Sequence, residues 1–145
     1  MAVPNKEPIY TRVGDCSADG SNTMSSTMTT ATADYTGVSA NHVLVFTADA
    51  TNGGYVRRIR FQAIGTNTAS VARIYLNNGS AHTSAANNML YGQISLPGIT
   101  ASNTAATAEI DYPMELALNP GWTIWVGLGT TVAAGWEAVC VGGKY

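Results

Sequence analysis

The sequence predicts an all-β fold: a single-domain antiparallel β-sandwich of the jelly-roll type with an extended N-terminal arm. Short apolar segments with strand-like alternation recur along the chain, and clusters of Gly, Asn, Pro and Thr separate them about every 8 to 15 residues. No helical pattern alternates with these segments, which argues against a parallel α/β sheet. We expect residues 1–23 to form the arm and an irregular lead-in, and residues 24–145 to form the sandwich.

The composition indicates an uncharged exterior. Of 145 residues, 46% are hydrophobic and only 11% are charged, whereas charged residues usually make up about a quarter of a chain. Short neutral residues must therefore cover the surface, which suits contact by shape and backbone hydrogen bonds. The net charge of −2 gives no electrostatic attraction to nucleic acid or anionic lipid. We expect neither a nucleic-acid nor a membrane partner.

The start of the chain, residues 1–10, lacks the apolar stretch of a signal peptide. We therefore expect synthesis in a reducing cytoplasm, with Cys16 and Cys140 as thiols. A disulfide between them remains the alternative, and it requires their Cα atoms to lie within about 7 Å.

About eight strands are expected in the sandwich, and a short one is expected in the lead-in, where residues 9–13 form either a strand or an arm laid on another subunit. Residues 27–35 are Thr-rich and predict an edge strand. The predicted strands after the lead-in are residues 27–35, 42–48, 55–64, 71–76, 89–96, 108–118, 122–128 and 135–141.

Two of these strands have a clear facing pattern. In residues 55–64, Tyr55, Ile59 and Phe61 are expected to point inward, and Arg58 and Arg60 outward. In residues 108–118, the apolar side chains share one side and the acidic ones the other. Pro113 falls on the outward side, where a proline must lie at a sheet edge or a bulge.

Catalytic and metal-binding patterns are weak. His42 and His82 sit in different sequence contexts without Cys or Asp at ligand spacing, so two ordinary histidines are favoured over a zinc site. Carboxylates two residues apart on a strand, such as Glu109 and Asp111, lie about 7 Å apart, a separation that glycosidases use. The solvated face of an amphipathic strand is the favoured interpretation. We expect no enzymatic activity, no cofactor and no metal.

Four of the seven basic residues form the one charge cluster, on two strands expected to be neighbours: Arg57, Arg58, Arg60 and Arg73. The cluster could dock an acidic patch on a partner. Equally, its arginines could pair across strands with Glu109, Asp111 or Glu115. The sequence leaves both alternatives open.

The three tryptophans lie near the end of the chain. Trp122 and Trp136 fit core positions. Trp125 falls on the opposite strand face, which makes it a candidate interface anchor or sugar platform. Alternatively, it belongs to the second face of a central strand and is covered by another part of the same chain.

Residues 54–79, which include GYVRRIRFQAIGTNTA followed by SVARIYLNNG, resemble small virion proteins of tailed bacteriophages. The ending of the chain, residues 118–145, is similar to the close of the same proteins. The resemblance implies a capsid decoration, or cement, protein: a jelly roll that sits as a homotrimer on the capsid exterior and braces major capsid subunits. A carbohydrate- or receptor-binding module of a phage tail is the alternative.

The candidate partner interface combines the Pro-rich arm, which could become ordered on a neighbouring subunit, with the arginine cluster and the outward tryptophan. Its residues are Pro4, Lys6, Pro8, Tyr10, Arg57, Arg58, Arg60, Arg73 and Trp125.

Overall fold

The computed structural model describes residues 9–10, 27–32 and 34–145, and for residues 9–10 it describes the backbone alone. The predictions for Pro4, Lys6, Pro8 and Cys16 lie outside the described residues. Within them the chain forms a single turn of 3-10 helix, Ala85–Asn87, and nine strands. The strands are β1 (Ile9–Tyr10), β2 (Thr27–Met28), β3 (Val43–Thr47), β4 (Gly54–Ala63), β5 (Ser70–Asn77), β6 (Asn88–Leu96), β7 (Ile110–Leu118), β8 (Thr123–Leu128) and β9 (Trp136–Lys144).

Two antiparallel sheets pack face to face. Sheet A has the order β1-β9-β4-β7, with β2 also paired to β9, and sheet B has the order β3-β8-β5-β6. The pairs are nested: β5 pairs with β6, β4 with β7, β3 with β8 and β2 with β9. This is a long antiparallel ribbon folded over on itself, the topology of a jelly roll. The predicted all-β sandwich is confirmed.

The core fills the space between the two sheets. Trp136, Phe46 and Phe61 are fully buried there, each with 0% exposure. Ile124 of β8 and Ile59 of β4 meet them from opposite sheets, as their predicted inward positions require. Burial of one such side chain contributes about 1.5 to 3 kcal/mol, so the interior of the sandwich is the main source of its stability.

The inward position predicted for Tyr55 is wrong. A bulge in β4 shifts its register with β9, because Val56 lies opposite Gly142 whereas Arg58 lies opposite Val141. The extra residue resets the alternation. Val56 is therefore buried, and Tyr55 lies on the outer face.

Pro113 lies on the edge strand β7, at a second register shift, between β4 and β7, so its predicted placement is confirmed. An edge position suits proline, because a strand there leaves one side of its backbone unpaired. None of the helices among the described residues is long and apolar enough to span a membrane.

The first two strands are shorter than predicted. Ile9 and Tyr10 pair with Lys144 and Gly143 of the same chain, so this part of the predicted arm is a strand of sheet A. Of the predicted edge strand 27–35, only Thr27–Met28 is a strand. Among the described residues after it, the Thr32 N–H donates to the carbonyl oxygen of Leu128 in β8, so this segment lies against sheet B.

Candidate functional site

Three arginines of the predicted cluster lie on the outer face of sheet A and pair with the acidic side chains of β7. Arg60 binds Asp111 through two nitrogens, at 2.9 and 3.2 Å, and its third nitrogen lies 3.1 Å from a Glu109 oxygen. Arg58 lies 3.6 Å from Asp111, and Arg57 lies 3.9 Å from Glu115. The cross-strand pairing that the sequence offered as one alternative is confirmed for these three.

This network is self-neutralising. The hydrogen bond from Arg60 lowers the pKa of Asp111, and the same bond raises the pKa of Arg60. The Tyr55 hydroxyl donates to Glu115, and this bond raises the pKa of Tyr55. Since each arginine already faces a carboxylate of its own chain, the surface offers little net charge to an acidic partner.

Arg73 does not belong to this cluster, and the prediction that its strand neighbours that of the other arginines is wrong. β4 lies in sheet A and β5 in sheet B, so the two strands do not pair. The Arg73 side chain points to the outer face of sheet B and is 8% exposed. It donates to the Thr32 carbonyl oxygen at 2.8 Å and to the Tyr35 hydroxyl at 3.1 Å.

The same outer face brings the two histidines together, which sequence reasoning missed. His42 Nδ1 lies 3.3 Å from His82 Nε2, within hydrogen-bonding distance. The His82 ring stacks on Trp125, with centroids 3.9 Å apart and planes inclined by 15°. The His42 ring packs against Tyr75 with centroids 4.7 Å apart. Four aromatic rings, two from strands β5 and β8 and two from loops, thus form one cluster.

Asn88, at the start of β6, holds the loop that carries His82. Its amide nitrogen faces the carbonyl oxygens of Gly37, His82 and Ser84, at 3.3, 2.7 and 3.2 Å, and its oxygen accepts from Asn77 at 2.8 Å. These bonds tie the β5–β6 connection to the segment before β3. They position His82 over sheet B, where it can reach His42.

Burial lowers the pKa of both histidines. For His42, burial is the largest cause, and the charge of Arg73 lowers the pKa further. For His82, burial is again first and the charge of His42 second. The hydrogen bond between the rings needs one nitrogen that carries a proton and one that does not, so it is compatible with a neutral pair.

Trp125 is half-buried on the outer face of the central strand β8. His82 covers one face of its ring, and its indole nitrogen donates to Thr123 Oγ1 at 3.0 Å. This supports the alternative in which another part of the chain covers the second face of a central strand. Trp122 packs against the core and Trp136 lies inside it, as predicted.

The described residues contain no group of three His, Cys, Asp or Glu side chains that could hold a metal ion. Cys140 is buried in β9, and its predicted state as a thiol stays a prediction, as does that of Cys16. Comparison with protein-family models found no matching family, and comparisons with curated proteins and solved structures found no significant match.

Proposed function

We propose that this chain is a structural virion protein that docks on the outside of a tailed-bacteriophage capsid and stabilises the contacts between major capsid subunits. The observation that carries the proposal is a contrast between two edge strands of the sandwich, β7 of sheet A and β6 of sheet B. One of them, β7, has the features that prevent pairing with another chain, and the other, β6, largely lacks them.

Strand β7 is an edge strand that is protected from pairing with another chain. Asp111 and Glu115 project from it, and Pro113 interrupts its backbone donors. Charges and proline on an edge strand disfavour the addition of a further strand. The bulge opposite Arg58 adds local twist, which has the same effect. This edge of sheet A is therefore poorly suited to backbone pairing with a partner.

Strand β6, an edge strand of sheet B, contains neither a charge nor a proline, and no charged residue occurs anywhere from Ile74 to Ala108. Met89 on this strand is 64% exposed. A single bulge at Tyr91 interrupts the register with β5, which leaves the regular segment from Gly92 to Leu96. An uncharged edge of this kind can accept an extended strand of another protein, and main-chain hydrogen bonds then supply the affinity.

The resemblance of residues 54–79 and 118–145 to small phage virion proteins suggests the partner. It implies the major capsid protein as the surface that is bound and a homotrimer as the bound form. A protein that binds only the assembled shell stabilises it by mass action, without needing a catalytic site. The jelly-roll sandwich is compatible with that role.

The proposal is tested by quantitative mass spectrometry of purified virus particles that encode this chain. Copies comparable in number to the major capsid protein would support a place on the head. A handful of copies would instead favour the tail module, and absence from the particles would refute both.

The docking edge is tested with a charge placed on β6. Gln93 is exposed, and we expect Gln93→Lys to weaken binding to capsids by about tenfold, equivalent to about 1.4 kcal/mol. Ala117→Lys is the matched control, because it adds the same charge at an exposed position of β7. Equal binding by both variants would exclude β6 as the contact.

A further inference from the structure

Arg73 is a buried cation to which the described residues supply hydrogen bonds but no carboxylate. Two of its nitrogens donate to Thr32 and Tyr35, and the Tyr35 ring centroid lies 4.1 Å from Cζ. Nε is buried and has no hydrogen-bond partner among the described residues. The ion pairs of the described residues involve Arg57, Arg58 and Arg60, not Arg73. A charge removed from water is strongly unfavourable unless an opposite charge accompanies it.

An open pocket of about 300 Å³ lies against this side chain, lined by Ala69, Ser70, Val71, Arg73, Gly129 and Thr130. Gly129 keeps the guanidinium next to open space, since a Cβ at this position would lie 3.4 Å from Arg73 Nη2. Ser70 Oγ donates to the Thr130 carbonyl oxygen at 3.2 Å and accepts from its N–H at 3.1 Å. These bonds hold Ser70 and Thr130 together in the wall of the pocket.

We propose that this pocket binds a carboxylate, with Arg73 as its counter-ion. Two of the five guanidinium N–H groups are used within the chain, so donors remain for an oxyanion. A carboxylate carries a single charge, which one guanidinium balances. A phosphate carries about −1.5 to −2 at neutral pH and would need donors that the apolar wall of Ala69, Val71 and Gly129 does not provide.

The carboxylate could belong to a small organic acid or to an Asp or Glu side chain of a partner protein. Both sources present the same group to Arg73. The proposal does not depend on the role in a virion, because it can be tested with the isolated chain and free ligands.

The first test is thermal unfolding of the wild-type chain in sodium acetate against sodium chloride at equal ionic strength. With acetate at ten times its Kd, we expect Tm to rise by roughly 5 °C. Arg73→Met should abolish this rise. Arg57→Met is the matched control and should retain it, because Arg57 is exposed on the other sheet. A wild-type Tm that does not respond to acetate beyond the chloride control overturns the proposal.

Gly129→Ala separates ligand binding from the structural role of the arginine. The added methyl group meets its neighbours at 3.4 to 3.6 Å, which is ordinary contact, so the fold should persist with the Arg73 hydrogen bonds intact. Because the methyl group occupies part of the pocket, we expect a smaller acetate response. A response equal to that of the wild type would overturn the proposed site.

Two further ligands identify the source of the carboxylate. Blocked peptides with a central Glu or Gln test a protein side chain, and stabilisation by the Glu peptide above that by acetate would support this source. Equal stabilisation by acetate and the Glu peptide would support a small acid. Inorganic phosphate serves as the competing anion, and a larger response to phosphate than to acetate would overturn the assignment to a carboxylate.

Discussion

Acidification is expected to destabilise the protein through the paired histidines His42 and His82. Burial lowers the pKa of both below the ordinary value of 6.5. As the pH falls below that value, the unfolded chain takes up protons that the folded chain does not. Stability is therefore fully present above about pH 6.5 and decreases as the pH falls towards the folded-state pKa values.

The size of the effect follows from proton linkage. A histidine that stays neutral in the folded state costs about 1.4 kcal/mol of stability at about pH 5.5, one unit below its unfolded pKa. Two such histidines set an upper limit of about 2.8 kcal/mol. The neighbouring charges oppose one another, because Asp34 raises the pKa of His42 whereas Arg73 lowers it. Burial, the largest cause, therefore determines that the net shift of the His42 pKa is downward.

The assay is urea-induced unfolding, followed by tryptophan fluorescence, at about pH 7.5, 6.5 and 5.5. His82→Phe keeps an aromatic ring that can stack on Trp125 and removes one titrating group. We expect this variant to lose less stability on acidification than the wild type. A wild-type stability that does not fall between about pH 7.5 and 5.5 would refute the reasoning, as would equal losses in the two proteins.

Three further predictions concern packing. Gly127→Ala should lower stability by about 1 to 3 kcal/mol, measured by thermal unfolding, because the new Cβ overlaps the His42 ring; an unchanged Tm would contradict the tight packing there. Trp136→Ala should cost about 3 to 5 kcal/mol in urea unfolding. Trp136→Phe should cost clearly less, because phenylalanine fills most of the space and removes the buried indole N–H, which has no partner among the described residues. Asn67→Ala should cost about 2 to 4 kcal/mol, since the side chain accepts from Gly135 N–H at 2.8 Å and donates to the Gly135 carbonyl oxygen at 2.7 Å. Asn67→Asp should also destabilise by the same measurement, because it keeps the acceptor but places a buried carboxylate oxygen against the Gly135 carbonyl oxygen.

The fold was predictable because strand alternation records which side chains face the core. The pattern in residues 108–118 places Met114 and Leu118 inward and Asp111 outward, and the structure agrees. Alternation carries no information about a bulge, so the face of Tyr55 was assigned wrongly. A bulge inserts one residue without any sequence signal strong enough to mark it in advance.

The site was harder to predict because it depends on which strands meet. Proximity in the sequence groups Arg73 with the arginines of the preceding strand, whereas the connection between β4 and β5 crosses from sheet A to sheet B. His42 and His82 are 40 positions apart and meet only because two loops fold over the same outer face of sheet B. One feature of β5 pointed to the site. Arg73 and Tyr75 alternate with core residues and are buried themselves, so another part of the chain must cover the outer face of this strand.

The nested strand order has a consequence for synthesis of the chain. Sheet B is complete once β8 has been made, whereas sheet A still lacks β9, which lies between β4 and the pair β1 and β2. Until β9 emerges, the apolar inner side of sheet B has no Trp136 to cover it. Nascent or truncated chains that stop before β9 should therefore be prone to aggregate and to bind chaperones, even though most of the polypeptide is already present.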